Sequence, residues 1–155
     1  MVNAYFLDSS ALVKRYVPET GTVWISAIAD PQVGNLLFAV RITWVEVLSA
    51  LARRQREGSL SANEVAQAIQ TFRDDLNTQY QVTAVDPALL ETAGQLVMQY
   101  PLRAYDAVQL ASALQVQSGF AQTPDIQLVF VSADIRLLNI AQTEGLLTEN
   151  PNNYP

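Results

Sequence analysis

The stretch YFLDSSALVKRY, residues 5–16, places a single carboxylate, Asp8, directly after a short apolar run. The apolar run is typical of a buried strand, and the residues after Asp8 favour a helix. Asp8 therefore allows two interpretations. It can cap the helix by accepting N–H hydrogen bonds at its start, or it can be a ligand for something bound at the end of a sheet. The rest of the chain has to decide between them.

Outward from this stretch, the chain alternates between predicted strands and predicted helices. Short apolar runs predict strands over residues 2–7, 35–42, 81–85 and 126–131. Apolar spacing, capping patterns and proline or glycine stops predict helices over residues 9–16, 20–30, 43–58, 61–79, 86–100, 102–118 and 133–145. This alternation predicts an α/β fold in which helices cover both faces of a parallel sheet. We assign residues 1–149 to one domain and expect residues 150–155, NPNNYP, to form a frayed tail.

Composition removes several classes of chemistry. The 155 residues fit one domain with a real hydrophobic core. Because the chain has no Cys and no His, thiolate catalysis, Ser-His-Asp hydrolysis and histidine metal ligation are excluded. Any metal would be held by oxygen, which favours Mg²⁺ or Mn²⁺.

Charge and hydropathy bear on partners and location. The net charge of −6 argues against a large non-specific nucleic-acid surface but allows a local basic patch. No apolar run reaches the ~20 residues needed to span a bilayer, and no basic stretch precedes an apolar segment at the N-terminus. We therefore expect a cytoplasmic protein without a membrane partner.

Four acids stand where a parallel sheet would bind a ligand or where a charge needs a partner. They are Asp8, Glu46, Asp106 and Asp134. Two of them follow predicted strands, and ligands of such sheets bind beyond the carboxyl ends of the strands. Glu46 and Asp106 lie near helix starts among apolar residues. Each acid also has a simpler explanation. Asp8 and Asp134, which follow strands, could cap helices, and Glu46 could form a capping box with Thr43. Asp106 could be stabilised by the dipole at the start of its helix.

The remaining acids serve as controls to which we assign no chemistry. Asp86 before Pro87 is explained as a helix cap, and the others are expected to be solvated: Glu57, Glu64, Asp74, Asp75, Glu91 and Glu144. The joint pattern of the first four acids is harder to explain by capping. If they converged without a cation they would repel one another and resist ionisation. A divalent cation removes that difficulty and suggests metal-assisted attack of water on a phosphodiester.

Four motifs, in order and at this spacing, resemble the PIN-domain ribonucleases, and most closely the VapC-type toxins of prokaryotic toxin–antitoxin pairs. They are FLDSSALVKRYVPE, ITWVEVLSALAR, LRAYDAVQLASAL and VFVSADIRLLNIAQTEGL, and the similarity spans about residues 3–147. The resemblance implies a three-layer α/β/α sandwich with a central, mostly parallel sheet. It also implies a Mg²⁺- or Mn²⁺-dependent endoribonuclease whose metal would be held by Asp8, Glu46, Asp106 and Asp134.

The resemblance extends to residues around these acids. Ser10 and Ser132 stand where the family has hydroxyls, and the resemblance implies that they orient a carboxylate or a metal-bound water. Gln109 is a departure, because many relatives carry His three residues after the third acid. This change leaves the four acids intact, so we expect activity to survive, with an effect on substrate fit or pH behaviour.

The resemblance also implies two partners, an RNA substrate and a small VapB-like antitoxin whose C-terminal tail crosses the site; a homodimer is common in the family. Candidate contacts to RNA or to an acidic partner segment are Lys14, Arg15, Arg53 and Arg54. The arginines at the end of the predicted helix 43–58 have an alternative explanation, because cations there complement the helix dipole and improve solubility.

Other activities compete with this interpretation. A haloacid-dehalogenase-type phosphatase needs a second Asp where this chain has Ser10, and a receiver domain needs a Lys near the end of the sheet, whereas the only Lys is Lys14. Two alternatives stay open. One is a PIN fold that acts as a non-enzymatic binding or assembly module, and the other is a PIN nuclease of RNA maturation.

Overall fold

A single parallel sheet forms the centre of the molecule. The structure is a computed structural model, and it describes residues 2–155. The strands are β1 (Val2–Leu7), β2 (Leu36–Val40), β3 (Gln81–Thr83), β4 (Ile126–Val131) and β5 (Leu147–Glu149). Their order is β3-β2-β1-β4-β5, and every neighbouring pair is parallel. The expected α/β fold with a parallel sheet is confirmed, and the short edge strand β5 is an addition that the sequence pattern did not predict.

Helices connect the strands and cover the sheet. They are α1 (Ser9–Leu12), α2 (Thr22–Ile28), α3 (Thr43–Arg56), α4 (Ala62–Thr78), α5 (Pro87–Gln99), α6 (Ala104–Gly119) and α7 (Ile135–Thr143). The predicted helix 9–16 divides into α1 and a 3₁₀ turn over Val13–Arg15. Among residues 2–155, no helix is long and apolar enough to cross a membrane.

The core has two parts, one on each face of the sheet. Side chains alternate between the faces along a strand, so Phe6 points to one face, where it stacks on Phe130 with ring centroids 5.9 Å apart, while Leu7 and Val131 belong to the core on the opposite face. Residues of α5, α6 and α7 pack on the first face, and residues of α1 to α4 pack on the second. This is the three-layer α/β/α arrangement.

The C-terminal segment corrects one expectation. Residues 150–155 are not frayed, because Pro151–Asn153 forms a 3₁₀ turn in which Pro151 is buried. The ring of Tyr154 stacks almost parallel on Trp24 of α2, with centroids 4.7 Å apart. An aromatic pair and a buried proline bind this short polar segment to the domain, and neither contact is visible in its composition.

The sheet topology brings the carboxyl ends of two strands together. Leu7 at the end of β1 is paired with Val131 at the end of β4, so the residues that follow these strands emerge side by side. The strand order changes direction at this point, since β2 lies on one side of β1 and β4 on the other. A crevice beyond the carboxyl ends of the strands is the expected ligand site of such a sheet.

Candidate active site

A cavity of about 670 Å³ opens at this end of the sheet. Its lining includes all four acids singled out in the sequence: Asp8, Glu46, Asp106 and Asp134. Asp8 follows β1, Glu46 lies in the first turn of α3, Asp106 lies in the first turn of α6, and Asp134 precedes α7. Four separate parts of the chain therefore contribute one carboxylate each to one cavity.

Asp8 combines the two roles that its position suggested. It is the N-cap of α1, where Oδ1 accepts a hydrogen bond of 2.9 Å from the backbone N–H of Ala11 and one of 2.7 Å from the Ser10 hydroxyl. Both bonds engage the same carboxylate oxygen, and the residue also lines the cavity. The pKa of Asp8 is raised to about 6, chiefly by burial and to a smaller extent by the charge of Glu46, whereas hydrogen bonds from Ser132, Ser10 and Ala11 oppose the shift. Capping thus accounts for only part of what this carboxylate does.

Glu46 is held through both of its oxygens. The Ser9 hydroxyl donates to Oε2 over 2.9 Å, and the Gln109 amide donates to Oε1 over 2.8 Å. Partial burial raises the pKa of Glu46, and so does the charge of Asp106, while the two hydrogen bonds lower it. The alternative capping box with Thr43 is not formed, because α3 has no side-chain cap and the Thr43 hydroxyl accepts from Gln109 instead.

Asp106 and Asp134 are the other two acids that line the cavity. Partial burial and the charge of Asp134 raise the pKa of Asp106, and the guanidinium groups of Arg103 and Arg136 oppose this. Asp134 is exposed and caps α7 by accepting from the backbone N–H of Arg136 over 2.9 Å. It therefore serves as a cap and as part of the cavity wall, as Asp8 does.

The two serines predicted beside the acids lie in the same region. Ser10 donates to Asp8 and accepts from the backbone N–H of Ala133 over 2.9 Å. Ser132 is fully buried and accepts from the backbone N–H of Asp134 over 3.0 Å. These bonds tie the start of α1 to the loop after β4, so they fix the relative positions of the first and last acids.

The donor set suits a hard divalent cation, which prefers carboxylate, hydroxyl and water oxygens. Three of the four acids each raise the pKa of a neighbour: Glu46 raises that of Asp8, Asp106 that of Glu46, and Asp134 that of Asp106. A cation would relieve this mutual repulsion. Among residues 2–155, however, no three acidic side chains are grouped closely enough to form a ligand set by themselves.

Basic residues form part of the same wall. Lys14, Arg53, Arg54 and Arg103 line the cavity. Glu19 forms ion pairs with Lys14, over 3.2 Å, and with Arg54. The cavity thus places cations beside its acids, which is the arrangement expected of a site for a phosphodiester.

Comparisons with known proteins show to which family the chain belongs. The sequence model of the PIN-domain family matches residues 5–141 of this chain. The chain belongs to the PIN-domain family. It is 34% identical over 111 residues to Ribonuclease VapC45 of Mycobacterium tuberculosis, a match covering 72% of this chain and 75% of that protein.

Solved structures show the same fold. A toxin–antitoxin complex from Klebsiella pneumoniae gives a TM-score of 0.63 at 17% identity, covering 95% of this chain and 97% of that chain. VapBC2 from Rickettsia felis bound to a promoter DNA fragment gives a TM-score of 0.63 at 12% identity, covering 95% and 98%. At this identity the likeness concerns the fold alone.

In this PIN domain, Arg15 does not belong to the cavity wall. Its guanidinium donates to Tyr80 over 2.6 Å and to Gln79 over 2.8 Å, and it pairs with Asp75 over 3.3 Å. Arg15 is therefore an internal cross-link rather than a contact for RNA or a partner. The expectation that Asp75 is solvated is wrong as well, because Asp75 also accepts from the Tyr16 hydroxyl over 2.8 Å.

Sequence reasoning missed three residues of the site: Ser9, Glu19 and Arg103. Ser9 is adjacent to Asp8, but its bond to Glu46 spans 37 positions and depends on how α1 packs against α3. Arg103 precedes Asp106 by three positions and is the N-cap residue of α6. A cation at a helix start is unfavourable for the helix dipole, and this was the one feature of the sequence that could have marked Arg103 as a site residue.

The control acid Asp86 accepts a hydrogen bond from the Leu89 N–H over 2.8 Å and does not line the cavity.

Proposed function

We propose that this PIN domain is a metal-dependent endoribonuclease that acts as the VapC-type toxin of a toxin–antitoxin pair. The observation that carries the proposal is the convergence of four acids from separate elements on one cavity, with the pKa values of three of them raised by burial and by each other. Titratable groups whose pKa values are shifted from their ordinary values are concentrated at functional sites. The similarity to Ribonuclease VapC45 supports RNA as the substrate.

The metal part of the proposal rests on the donor chemistry. Asp8, Glu46, Asp106 and Asp134 would hold Mg²⁺ or Mn²⁺, and neither Cys nor His competes for it in this chain. When bound, such a cation activates water and neutralises charge that develops on the phosphodiester. The protein's own contribution is to orient the carboxylates, as Ser10 does for Asp8 and Ser9 does for Glu46 through their hydrogen bonds.

The partner part of the proposal is an antitoxin that covers the cavity. The solved structures that share this fold include VapBC2 from Rickettsia felis and a toxin–antitoxin complex from Klebsiella pneumoniae. Among the residues that line the cavity, Val45 and Tyr105 are 58% and 60% exposed, and Arg53 and Arg103 line the same cavity. Exposed apolar groups and cations in one cavity suit a peptide segment that carries both apolar and acidic side chains.

One observation favours a second function, that of a non-enzymatic binding module. No three acidic side chains among residues 2–155 are grouped as a formed metal site, and a binding surface would not need such a group. The two functions differ in a single property, namely whether the purified domain cuts RNA when a divalent cation is supplied.

The test is cleavage of single-stranded RNA by the purified domain with Mg²⁺ or Mn²⁺. We expect cleavage that stops when a chelator is added. Asp8→Asn is expected to abolish cleavage without unfolding the domain, because Asn and Asp cap helices about equally well while the amide lacks the anionic oxygen that a cation needs. The loss in kcat should be at least about 100-fold.

Asp86→Asn is the matched control, since Asp86 also caps a helix after a strand but lies outside the cavity. It should cleave as the parent does. Cleavage that persists in excess chelator would exclude the metal mechanism, and an Asp8→Asn variant as active as the parent would reduce Asp8 to a helix cap. Absence of cleavage by folded parent protein with either metal would favour the binding module.

A further inference from the structure

Gln109 is buried in α6 and contacts Glu46 directly. Its side chain is 1% exposed. The amide nitrogen Nε2 donates to Oε1 of Glu46 over 2.8 Å and to the hydroxyl of Thr43 over 2.9 Å. The amide oxygen Oε1 has no hydrogen-bond partner, and it is the only such buried side-chain nitrogen or oxygen among residues 2–155.

The orientation of this amide is determined by charge. If the amide were rotated by half a turn, its oxygen would face the carboxylate of Glu46, and two acceptors would repel each other. Both N–H groups of the amide are therefore directed at acceptors on α3, and the oxygen is left without a donor. An unsatisfied buried acceptor lowers stability, so this amide contributes less to stability than a fully hydrogen-bonded one would.

We propose that Gln109 is a positioning residue that fixes the carboxylate of Glu46 for cation binding and catalysis; the inference rests on the proposed function. Ser9 donates to one oxygen of Glu46 and Gln109 to the other. Two donors from different elements, α1 and α6, hold the plane of the carboxylate from opposite ends. Because these bonds already order the side chain of Glu46, it loses little further rotamer entropy when a cation binds.

A purely structural role predicts something different. If Gln109 served only to link α6 to α3, its loss would lower stability and leave cation binding unchanged. The positioning role predicts that cation binding by the folded variant weakens as well. The thermal midpoint is expected to fall under either role, because Glu46 and the buried Thr43 hydroxyl each lose a hydrogen bond.

The experiment compares Gln109→Met, which keeps the length and removes the amide, with the parent. Binding of Mn²⁺ in the absence of RNA, measured by calorimetry, should be about ten-fold weaker or more in the variant. At saturating Mn²⁺, kcat for RNA cleavage should fall by a similar factor with the KM for RNA unchanged. The thermal midpoint of the metal-free protein is measured for both proteins, so that Mn²⁺ binding is compared at a temperature at which both are folded.

Ser112→Ala is the matched control. Ser112 is fully buried one turn further along α6, and its hydroxyl is 2.6 Å from that of Thr83, away from the acids. This variant loses a buried hydrogen bond on the same helix, and it should bind Mn²⁺ and cleave RNA as the parent does. If Gln109→Met does not yield folded protein, Gln109→Asn replaces it, because its amide is one methylene too short to reach Glu46, and the same loss of Mn²⁺ affinity is expected.

The outcomes separate this inference from the proposed function. Parent and Gln109→Met proteins that bind Mn²⁺ with equal affinity would overturn the inference while leaving the nuclease intact. A parent that binds Mn²⁺ but does not cut RNA would overturn the nuclease, and the Mn²⁺ affinities would still decide the role of Gln109. A parent that neither binds Mn²⁺ nor cuts RNA would overturn both.

Discussion

At the scale of single residues, Asp8 shows why a cap and a site residue need not be alternatives. A helix start offers N–H donors to any nearby carboxylate, and a site at the end of a sheet places its carboxylates next to helix starts. Asp8 and Asp134 both cap helices and both line the cavity. The capping bonds orient the carboxylates, so the local structure contributes to the site instead of competing with it.

Burial of Asp8 predicts how stability depends on pH. Its pKa in the folded protein is about 6, against an ordinary value of 3.8. Because the folded state binds this proton more tightly than the unfolded state, the metal-free domain is most stable below about pH 4 with respect to this group, and it loses that contribution as the pH rises to about 6. At 1.36 kcal/mol per pKa unit, the contribution is at most about 3 kcal/mol. Urea unfolding in the presence of chelator at a series of pH values measures it.

The control for this prediction is Asp8→Asn, in which the titrating group is absent. Its free energy of unfolding should change less between pH 4 and pH 6 than that of the parent. Glu46 and Asp106 have pKa values raised in the same direction, so a residual slope is expected. Parent and variant curves that run parallel over this range would show that Asp8 ionises normally in the folded protein.

At the scale of elements, the contact between the C-terminal turn and α2 depends on a glycine. Gly21, which precedes α2, has φ of +92°, and a Cβ placed there would lie 2.6 Å from the carbonyl oxygen of Pro151. Pro151 is buried in the 3₁₀ turn that follows β5. The absence of a Cβ at Gly21 therefore allows the C-terminal 3₁₀ turn to lie directly against the start of α2.

A substitution at Gly21 tests that packing. Gly21→Ala should lower the free energy of unfolding through backbone strain, about 1–2 kcal/mol, and through the clash with Pro151, about 1–3 kcal/mol more. Gly34→Ala is the control, because Gly34 has φ of +79° and an added Cβ meets nothing within 4 Å. Denaturant unfolding of both variants measures the difference. Equal destabilisation of the two would show that the C-terminal turn does not pack against Gly21.

The elements also show where sequence patterns suffice and where they fail. The strands β1, β2 and β4 are mostly apolar, because most of a central parallel strand is buried on both faces, and the sequence predicted all three. The edge strand β5 has three residues with little apolar character, so its pairing with β4 could not be predicted from the sequence.

The same distinction holds within the site. The acids were predictable because they follow strands or begin helices, which are local properties of the sequence. The contacts of Glu46 with Ser9 and Gln109 span 37 and 63 positions, and they depend on where α1, α3 and α6 meet. Nothing in the local sequence around these residues predicts that meeting.

At the scale of the whole molecule, charge limits what the domain can bind. A net charge of −6 opposes non-specific association with RNA. The cations on the cavity wall, Lys14, Arg53, Arg54 and Arg103, lie beside the acids instead of forming a separate basic face. Glu19 pairs with two of them, which reduces the net positive charge available to RNA. Under the proposed function, RNA would be attracted to the cavity by these cations, and an antitoxin that covers the opening would block it.

The final prediction concerns the effect of the protein on a cell. Expression of the parent protein without its partner in its native host should slow growth, because RNA cleavage would be unopposed, and co-expression with the cognate antitoxin should relieve the effect. Colony counts and growth rates measure both. Asp8→Asn, produced at the same soluble level, is the control and should be harmless, since it retains the fold and the rim of the cavity while lacking the anionic oxygen. Equal toxicity of this variant would assign the growth effect to binding instead of cleavage, and harmless expression of soluble parent protein would argue against a toxin and favour the binding module.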